Sequence, residues 1–289
     1  MARSEAAGET VAIERLTRAD IEGGLALSLA AGWNQTADDW AFFIDHGHSV
    51  GCRDGEGRLV ATASALPQGD RCGWLSMVLV DADHRHHGLA TTLVDDGVAW
   101  LAQGGRVAVL DATPEGEPVY RRSGFVGGFG FARWQGEGGG LPRTTEAQAP
   151  AIAVAVAHDH ADIVALDAAA TGLDRGALLH DFLARPTTCA WLAVDRSGFV
   201  IARTGRRACQ IGPLAAANDA DALALLEAAL AAREGTVFID VPDHRSVLVA
   251  MLTQRGFTRQ RPFTRMATVA GPVLIAPERA YAMAGPEFG

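Results

Sequence analysis

The chain has 289 residues and a formal net charge of -9, with 34 acidic and 25 basic side chains. This balance argues against a nucleic-acid-binding surface, which needs a basic footprint, and no apolar run approaches the roughly 20 residues of a membrane-spanning helix. The composition, 48% hydrophobic and 20% charged, is that of an ordinary globular protein, and the length predicts two domains.

The start of the chain and its cysteines favour a cytoplasmic location. Acidic side chains follow Met1 closely, and the apolar core of a secretory signal is missing there. The cysteines lie singly along the chain, without the close pairs of a zinc site or the density of a disulfide scaffold; they are Cys52, Cys72, Cys189 and Cys209. We therefore expect reduced thiols and no metal site.

Strand and helix patterns alternate through the first half of the chain. Period-two and period-3.6 apolar patterns indicate the elements, and caps and turn residues indicate their ends. In chain order the sequence predicts a strand over 11–16, a helix opened by a capping box at 36–39, two strands meeting at a turn over 54–57, a strand over 74–80, a helix over 88–102, a strand over 107–110, and a short helix over 119–122 that Gly124 ends.

A glycine-rich stretch divides the chain nearly in half and has the composition of a flexible connector. We predict a first domain over 1–137, a linker over 138–147 and a second domain over 148–289. The second half repeats the order of the first, with strands over 152–156 and 237–239, helices over 163–168, 177–183 and 222–230, and strands around a turn at 195–198. Both halves also end a helical stretch on Gly-Phe, at residues 124–125 and 256–257. Two copies of one α/β architecture fit this repetition better than one large sheet.

The strongest local signal follows the strand over 74–80, where the turn Arg85-His86-His87-Gly88-Leu89-Ala90 opens a helix. Backbone N–H groups at a helix N-terminus favour an anion. Gly88 and Ala90 would let a diphosphate approach the backbone closely, and Arg85 adds a permanent positive charge. A helix with a loose first turn is the alternative interpretation.

Arg-x-x-Gly-x-Ala after such a strand resembles the motif of the GCN5-related N-acetyltransferase (GNAT) superfamily. The resemblance implies an α/β fold of two tandem GNAT-like domains, each a mixed, mostly antiparallel sheet flanked by helices. It also implies that acetyl-CoA, or another acyl-CoA, is the cofactor, with pantetheine along the strand and the pyrophosphate at the turn. The implied cofactor-binding residues are Val78, Leu79, Val80, Arg85, His86, His87, Gly88, Leu89, Ala90, Thr91 and Thr113.

The segment over 113–125 resembles the second motif of this family, in which a tyrosine before Gly-Phe protonates the departing thiolate. Tyr120 occupies that position, and a phenol with an ordinary pKa of about 10 can donate without being ionised at neutral pH. A packing role for Tyr120 is the alternative. Thr113 stands where the family often has an Asn that contacts CoA. Asp111 is the candidate general base, with a solvated surface Asp or a water chain as alternatives.

A pattern that spans most of the chain consists of residues 32–36 with 39–40 in the first half, and of Asp167 with 172–175 and 211–214 in the second. This pattern resembles tandem bacterial acetyltransferases with a specialised C-terminal domain. The resemblance implies acceptor contacts from Trp33 and Asn34 between the first two helices, and from Asp167, Asp174 and Arg175 in the second half. A packed Trp with a helix-capping Asn, and a structural Asp–Arg ion pair, are the alternatives. The second-half turn over 218–221 has two carboxylates and no glycine, so it would repel a pyrophosphate.

These features predict an N-acetyltransferase that moves an acetyl group directly from acetyl-CoA to a primary amine of a small molecule or peptide. No cysteine or serine lies in a nucleophile motif, which disfavours a covalent enzyme intermediate. Neither a nucleic acid nor a membrane is an expected partner. The alternative is a non-catalytic protein that senses an acyl-CoA or an amine.

Overall fold

A computed structural model describes residues 12–140 and 151–289. The strands in this part of the chain are β1 (Glu14–Arg15), β2 (His48–Arg53), β3 (Leu59–Gln68), β4 (Cys72–Val80), β5 (Val107–Ala112), β6 (Val126–Glu137), β7 (Ile152–Val154), β8 (Cys189–Ala193), β9 (Gly198–Thr204), β10 (Cys209–Ala216), β11 (Thr236–Pro242), β12 (Thr258–Ala267) and β13 (Ala280–Ala282). The helices are α1 (Ile21–Ala30), α2 (Ala37–His46), α3 (Leu89–Gln103), α4 (Glu117–Arg122), α5 (His160–Thr171), α6 (Gly176–Ala184), α7 (Asp219–Ala231) and α8 (Ser246–Gln254).

The strands join in one mixed sheet, in the order β1-β2-β3-β4-β5-β12-β6-β11-β10-β9-β8-β7, with β13 paired to β10. Two of its strand pairs are parallel: β4 with β5, and β10 with β11. A parallel pair needs a crossover connection, usually a helix; α3 connects the first pair and α7 the second. The two halves of the chain therefore repeat one mixed α/β arrangement.

The halves also exchange strands at the middle of the sheet, which the sequence did not predict. Strand β12 of the second half lies between β5 and β6 of the first half. Its partners on β5 include Ala112 opposite Thr264 and Asp111 opposite Arg265. Strand β6, which pairs with β12 along one edge, pairs along its other edge with β11 over seven residues, from Phe131 to Glu137. Each half thus completes the sheet of the other instead of forming a separate one.

The first two residues of the predicted linker are hydrogen-bonded to the second half of the chain. Gly138 N–H donates to Gly235 O at 2.8 Å, and Gly139 N–H donates to Leu230 O at 2.7 Å. The rest of the linker prediction, from residue 141 onward, lies outside the described residues. The domain boundaries at 137 and 148 stay a prediction.

Local signals in the sequence account for where several helices begin and end. The predicted capping box is present: Thr36 Oγ1 accepts a hydrogen bond from Asp39 N–H at 3.3 Å, and Asp39 Oδ2 accepts from Thr36 N–H at 2.8 Å. Helix α4 is followed by Gly124 with a φ of 86°, and α8 by Gly256 with a φ of 79°, a conformation that glycine adopts without strain.

The predicted strands over 11–16 and 152–156 are shorter in the structure, as β1 and β7; residue 11 lies outside the described residues. Both strands lie at the outer edges of the sheet. Short edge strands present few unpaired backbone groups to other chains. Edge position is a property of the tertiary fold, so the sequence pattern overestimated their length.

A hydrophobic core shared by both halves packs their helices together. Phe43 on α2 stacks on Phe288 with ring centroids 4.8 Å apart, and Phe182 on α6 meets Phe288 edge-on at 5.2 Å. All three rings are fully buried, and aromatic rings contribute large buried areas to a core. Among the described residues, no helix is both long enough and apolar enough to cross a bilayer.

Candidate active site

The turn between β4 and α3 has a backbone arranged for anion binding. A short 3-10 helix over Ala82–His84 leads into it, His86 has a φ of 67°, and Gly88 has a φ of 81°. No side chain caps the N-terminus of α3. Within the described part of the chain, the backbone N–H groups of residues 86–91 donate no hydrogen bond. Unpaired N–H groups at the positive end of a helix form an anion site.

The space in front of this turn is open. A Cβ atom built on Gly88 would meet no other atom within 4 Å, and His86, His87 and Gly88 are exposed. Arg85 is also exposed, and its Nε donates to Val80 O at 3.3 Å, which keeps the guanidinium beside the turn. Of the predicted phosphate residues, Arg85 to Gly88 and Thr91 are thus exposed at this turn, whereas the Leu89 side chain is buried in the core.

Strands β4 and β5 separate beside this turn. They pair only from Cys72 to Trp74, opposite Val107 to Val109. Beyond Trp74 the two strands diverge, and the other neighbour of β5 is β12. The divergence leaves the second half of β4, which includes Val78, Leu79 and Val80, without a strand partner on its β5 side.

A bulge at Met77 changes the direction of one peptide group in β4. Met77 has a φ of 54°, and the β3–β4 register shifts between Thr62 and Ser64. Thr62 Oγ1 on β3 donates to Met77 O at 2.8 Å. Because C=O and N–H of a trans peptide point in opposite directions, the Val78 N–H is directed away from the Thr62 hydroxyl on β3.

A cavity of about 160 Å³ lies where the two strands diverge. Residues from both halves of the chain line it. From the first half these are Trp33, Gln35, Leu75, Ser76, Met77, Val78, Leu110, Asp111, Thr113, Gly116, Tyr120 and Arg133, and from the second half Arg261, Phe263, Pro286 and Glu287.

Tyr120 on α4 is held against this cavity by its neighbours. Its ring meets Phe125 at a centroid distance of 6.0 Å, and a Cβ on Gly116 would lie 2.9 Å from it. Burial raises the pKa of Tyr120 to about 12, so the phenol keeps its proton at neutral pH. Thr113 Oγ1 accepts a hydrogen bond from Gly116 N–H at 3.2 Å, and this contact fixes the start of α4.

Asp111 lies in the cavity wall but is fully engaged. Arg265 Nε and Nη2 each donate to one of its carboxylate oxygens at 2.9 Å, and both side chains are buried. Burial raises the pKa of Asp111, and the Arg265 charge opposes that rise. Its oxygens are therefore occupied by an ion pair across strands β5 and β12.

The predicted acceptor residues of the first half separate into two positions. Trp33 lines the cavity, whereas Asn34 does not. The Asn34 amide donates to Ala208 O at 3.1 Å and accepts from the N–H groups of Arg207 and Ala208. Asn34 thus ties the α1–α2 loop to the β9–β10 turn. The next residue, Gln35, is buried and lines the cavity.

The predicted acceptor residues of the second half lie elsewhere. Arg175 forms a buried ion pair with Asp167, with Nη2 to Oδ1 at 2.6 Å and Nε to Oδ2 at 3.0 Å, and it also donates to Gly289 O. Arg175 and the exposed Asp174 line a larger cavity, of about 700 Å³, beside the β3–β4 turn. The structure therefore does not bring these three residues into the Tyr120 cavity.

In the second half, the cleft equivalent to that between β4 and β5 is filled. Strand β13 pairs with β10 at Leu214 and Ala215, beyond the residues where β10 pairs with β11. The N-terminus of α7 is also capped, since Asn218 Oδ1 accepts from Asp221 N–H at 3.0 Å. Tyr281 Oη donates to Asp219 Oδ1 at 2.9 Å. Strand and caps together occupy the position that is open in the first half.

Sequence reasoning missed several residues of the cavity. Two of them, Gln35 and Ser76, are buried and have a side-chain oxygen without a hydrogen-bond partner in the described structure. Arg133 is buried and paired with Asp240, and Arg261 and Glu287 come from the second half. A single charged residue inside the largely apolar stretch over 129–134 could have indicated Arg133, and no local signal indicated Glu287.

Comparison with known families gives one match in each half of the chain. A model described as the acetyltransferase (GNAT) family matches residues 24–125, and one described as an acetyltransferase (GNAT) domain matches residues 163–282. The first match includes the turn at Gly88 and Tyr120. The second begins in α5 and ends with β13.

Similar proteins match this chain along most of its length. An uncharacterized N-acetyltransferase of Bacillus subtilis, YitH, is 24% identical over 249 residues, which are 84% of this chain and 86% of that protein. A Pyrococcus horikoshii protein, for which acetyltransferase activity is only proposed, has a solved structure that superposes with a TM-score of 0.80 at 16% identity, covering 100% of this chain and 99% of the other.

A tandem GNAT protein from the clavulanic acid biosynthesis pathway superposes with a TM-score of 0.66 at 14% identity, covering 91% of this chain and 99% of its own. At such identities the structural likeness bears on the fold alone. The two family matches, one in each half, together with this fold and the curated relative, identify the chain as a member of the GNAT family with two GNAT domains in tandem.

Proposed function

We propose that this acyltransferase moves an acetyl group from acetyl-CoA to a primary amine, with the cofactor in the first half of the chain. The observation that carries the proposal is the open cleft between β4 and β5, beside a turn whose N–H groups over 86–91 have no partner among residues 12–140 and 151–289. A cytoplasmic location and a small-molecule or peptide acceptor belong to the same proposal.

The residues at the turn fit the pyrophosphate of a CoA. Its negative charge would meet unpaired N–H groups, the N-terminus of α3 and the Arg85 guanidinium. The open space at Gly88 matches a group that must lie directly against the backbone. Val78, Leu79 and Val80 would bind the pantetheine along the free edge of β4, and the bound thioester supplies the electrophilic carbonyl carbon.

The residues around the cavity can serve the transfer itself. The Val78 N–H, directed away from the Thr62 hydroxyl at the Met77 bulge, would donate to an oxygen on which negative charge develops. Tyr120 keeps its proton at neutral pH because burial raises its pKa to about 12, so it can protonate a departing thiolate. Thr113 fixes the start of the helix that carries Tyr120.

Trp33 and Gln35, on the loop between α1 and α2, line the same cavity. The unpaired Oε1 of Gln35 can accept a hydrogen bond from an ammonium or amine N–H. We propose that these two residues bind the acceptor, while Asn34 holds their loop and the Asp167–Arg175 pair stabilises the second half.

Calorimetric titration with acetyl-CoA, together with thiol release measured against a panel of primary amines, tests the proposal. We expect one binding site per chain and amine-dependent release of CoA thiol. Absence of binding to the folded protein would contradict the proposed cofactor site. Binding without thiol release for any amine would favour the alternative function, a sensor of acyl-CoA.

A further inference from the structure

The segment after β13 runs from the second half of the chain into the cavity of the first. Trp74 Nε1 on β4 donates to Pro286 O at 3.2 Å, and Gln68 Nε2 on β3 donates to Phe288 O at 2.7 Å. The Phe288 ring is fully buried in the shared core. Glu287 lies between these two anchored residues, so its position is fixed by the fold.

Glu287 lines the cavity that Tyr120 also lines, although the residue is only 8% exposed. Its contact with Arg203, from Nη2 to Oε1, is 3.5 Å, which is long for a hydrogen bond. Arg203 Nη2 donates instead to Ala284 O at 2.6 Å. Within the described residues, the Glu287 carboxylate is held only by its own backbone N–H and by the long Arg203 contact, so it keeps hydrogen-bonding capacity that Asp111, with both oxygens held by Arg265, does not have.

The surroundings of Glu287 also favour proton uptake. Burial raises the pKa of Glu287, and the charges of Arg203 and Arg133 oppose the rise. A carboxylate with a raised pKa is a better general base near neutral pH. The charged and titratable groups that face it, or share its cavity, are Arg203 on β9, Arg133 on β6, Asp39 on α2, Asp111 on β5, Tyr120 on α4 and Arg261 on β12.

On the basis of the acetyl transfer proposed above, we propose that Glu287 is the general base that takes a proton from the ammonium group of the acceptor. The freed amine attacks the thioester carbonyl carbon, so that a C–N bond forms and the C–S bond breaks. The nitrogen then loses a second proton. Sulfur leaves with the bonding electron pair and takes a proton from Tyr120. The second proton lost by nitrogen then reprotonates Tyr120. The proton on Glu287 returns to solvent.

Two nucleophiles separate this role from a structural one. A primary alkylamine is protonated at neutral pH and needs a base, whereas hydroxylamine is unprotonated and does not. In Glu287→Gln we expect kcat/KM for the alkylamine to fall at least about 100-fold, the typical contribution of a general base. We also expect the increase of this kcat/KM with pH to differ from that of the wild type. Transfer to hydroxylamine and the affinity for acetyl-CoA should stay within about threefold of the wild type.

Glu278→Gln is the matched control, because Glu278 is an exposed carboxylate just before β13 and should leave both rates unchanged. Glu287→Asp keeps a carboxylate and should recover part of the alkylamine rate. This variant also tests the role of the carboxylate if Glu287→Gln folds poorly. An alkylamine rate in Glu287→Gln within threefold of the wild type would overturn the assignment, as would equal losses with both nucleophiles. If the wild type transferred to neither nucleophile, the proposed function would fall together with the base.

Discussion

Arg265 on β12 donates to both carboxylate oxygens of Asp111 on β5, each at 2.9 Å, across a sequence separation of 154 residues. The pair is buried and stands between the two cavities, because Arg265 lines the larger one and Asp111 the smaller one. Arg265 also lies 4.4 Å from the centre of the Trp74 ring. The exchanged strand β12 is therefore fixed to the first half of the chain by charge as well as by backbone pairing.

Removal of this guanidinium should be costly. In Arg265→Met the carboxylate of Asp111 would remain buried without its partner, which lowers the free energy of unfolding by about 3–5 kcal/mol. Urea denaturation measures the change. The control is Arg259→Met on the same strand, since Arg259 pairs with Asp243 at 3.2 Å with both side chains about half exposed; it should cost less than about 1 kcal/mol. Equal effects of the two variants would contradict the structural role given to the buried pair.

The proposed phosphate site can be tested by adding one methyl group at Gly88. In Gly88→Ala the added Cβ projects into the open space in front of the turn, so the affinity for acetyl-CoA should fall at least about tenfold. A residue with a positive φ also costs roughly 1–2 kcal/mol of stability. Titration calorimetry measures the affinity.

Gly57 provides a matched control for that experiment. It has the same φ of 81° and equally open surroundings, but it lies in the β2–β3 turn, away from the proposed site. Gly57→Ala should therefore lose a similar amount of stability and no affinity for acetyl-CoA. An unchanged affinity in Gly88→Ala would place the cofactor elsewhere.

Tyr120→Phe should reduce amine-dependent thiol release by about 100-fold or more, because the thiolate would lose its proton donor. Acetyl-CoA affinity should hardly change. Because burial raises the pKa of Tyr120 to about 12, the acid form persists as the pH rises, and the wild-type rate should show no decline from this group below about pH 10. Tyr281 is the other of the two tyrosines in the chain, and Tyr281→Phe serves as the control. If Tyr120→Phe released thiol at the wild-type rate, Tyr120 would be a packing residue and not a proton donor.

Asp39 should make the stability depend on acid pH. It is fully buried on α2 and lies 2.7 Å from Arg185 and 3.5 Å from Arg203 of the second half. Burial by itself would raise the pKa of Asp39, but the two guanidinium groups outweigh it and hold the pKa below its ordinary value. A lowered folded-state pKa gives stability that is present above the unfolded-state value, about 3.9, and is lost as the pH falls through the folded-state value.

Asp39→Asn should accordingly lower the free energy of unfolding by about 3–5 kcal/mol at pH 7, and this difference should shrink below about pH 4. Urea titrations between pH 3 and pH 7 measure both. Asp45→Asn is the control, because Asp45 pairs with the exposed Arg18 and should have a much smaller effect. A difference between wild type and Asp39→Asn that stayed constant with pH would show that the charge of Asp39 is not what matters.

Much of the fold followed from short-range patterns. The capping box at Thr36, the glycines that end α4 and α8, and the turn at Gly88 each depend on residues only a few positions apart, so the sequence alone predicted them. The GNAT resemblance came from the same kind of local motif. The predicted cofactor residues at the turn and along β4 lie together in the structure for this reason.

The acceptor side needed the tertiary structure. Asn34, predicted to contact the acceptor, uses its side-chain amide to hydrogen-bond the β9–β10 turn. The neighbouring Gln35 lines the cavity. The insertion of β12 between β5 and β6, the filling of the second cleft by β13, and the position of Glu287 in the cavity that Tyr120 lines all join residues far apart in the chain. Such contacts are selected by how strands pair and cores pack over the whole molecule, and no local spacing encodes them. The sequence therefore determined the elements and the turn at Gly88, whereas the folded chain decided which charged groups meet in the cavity.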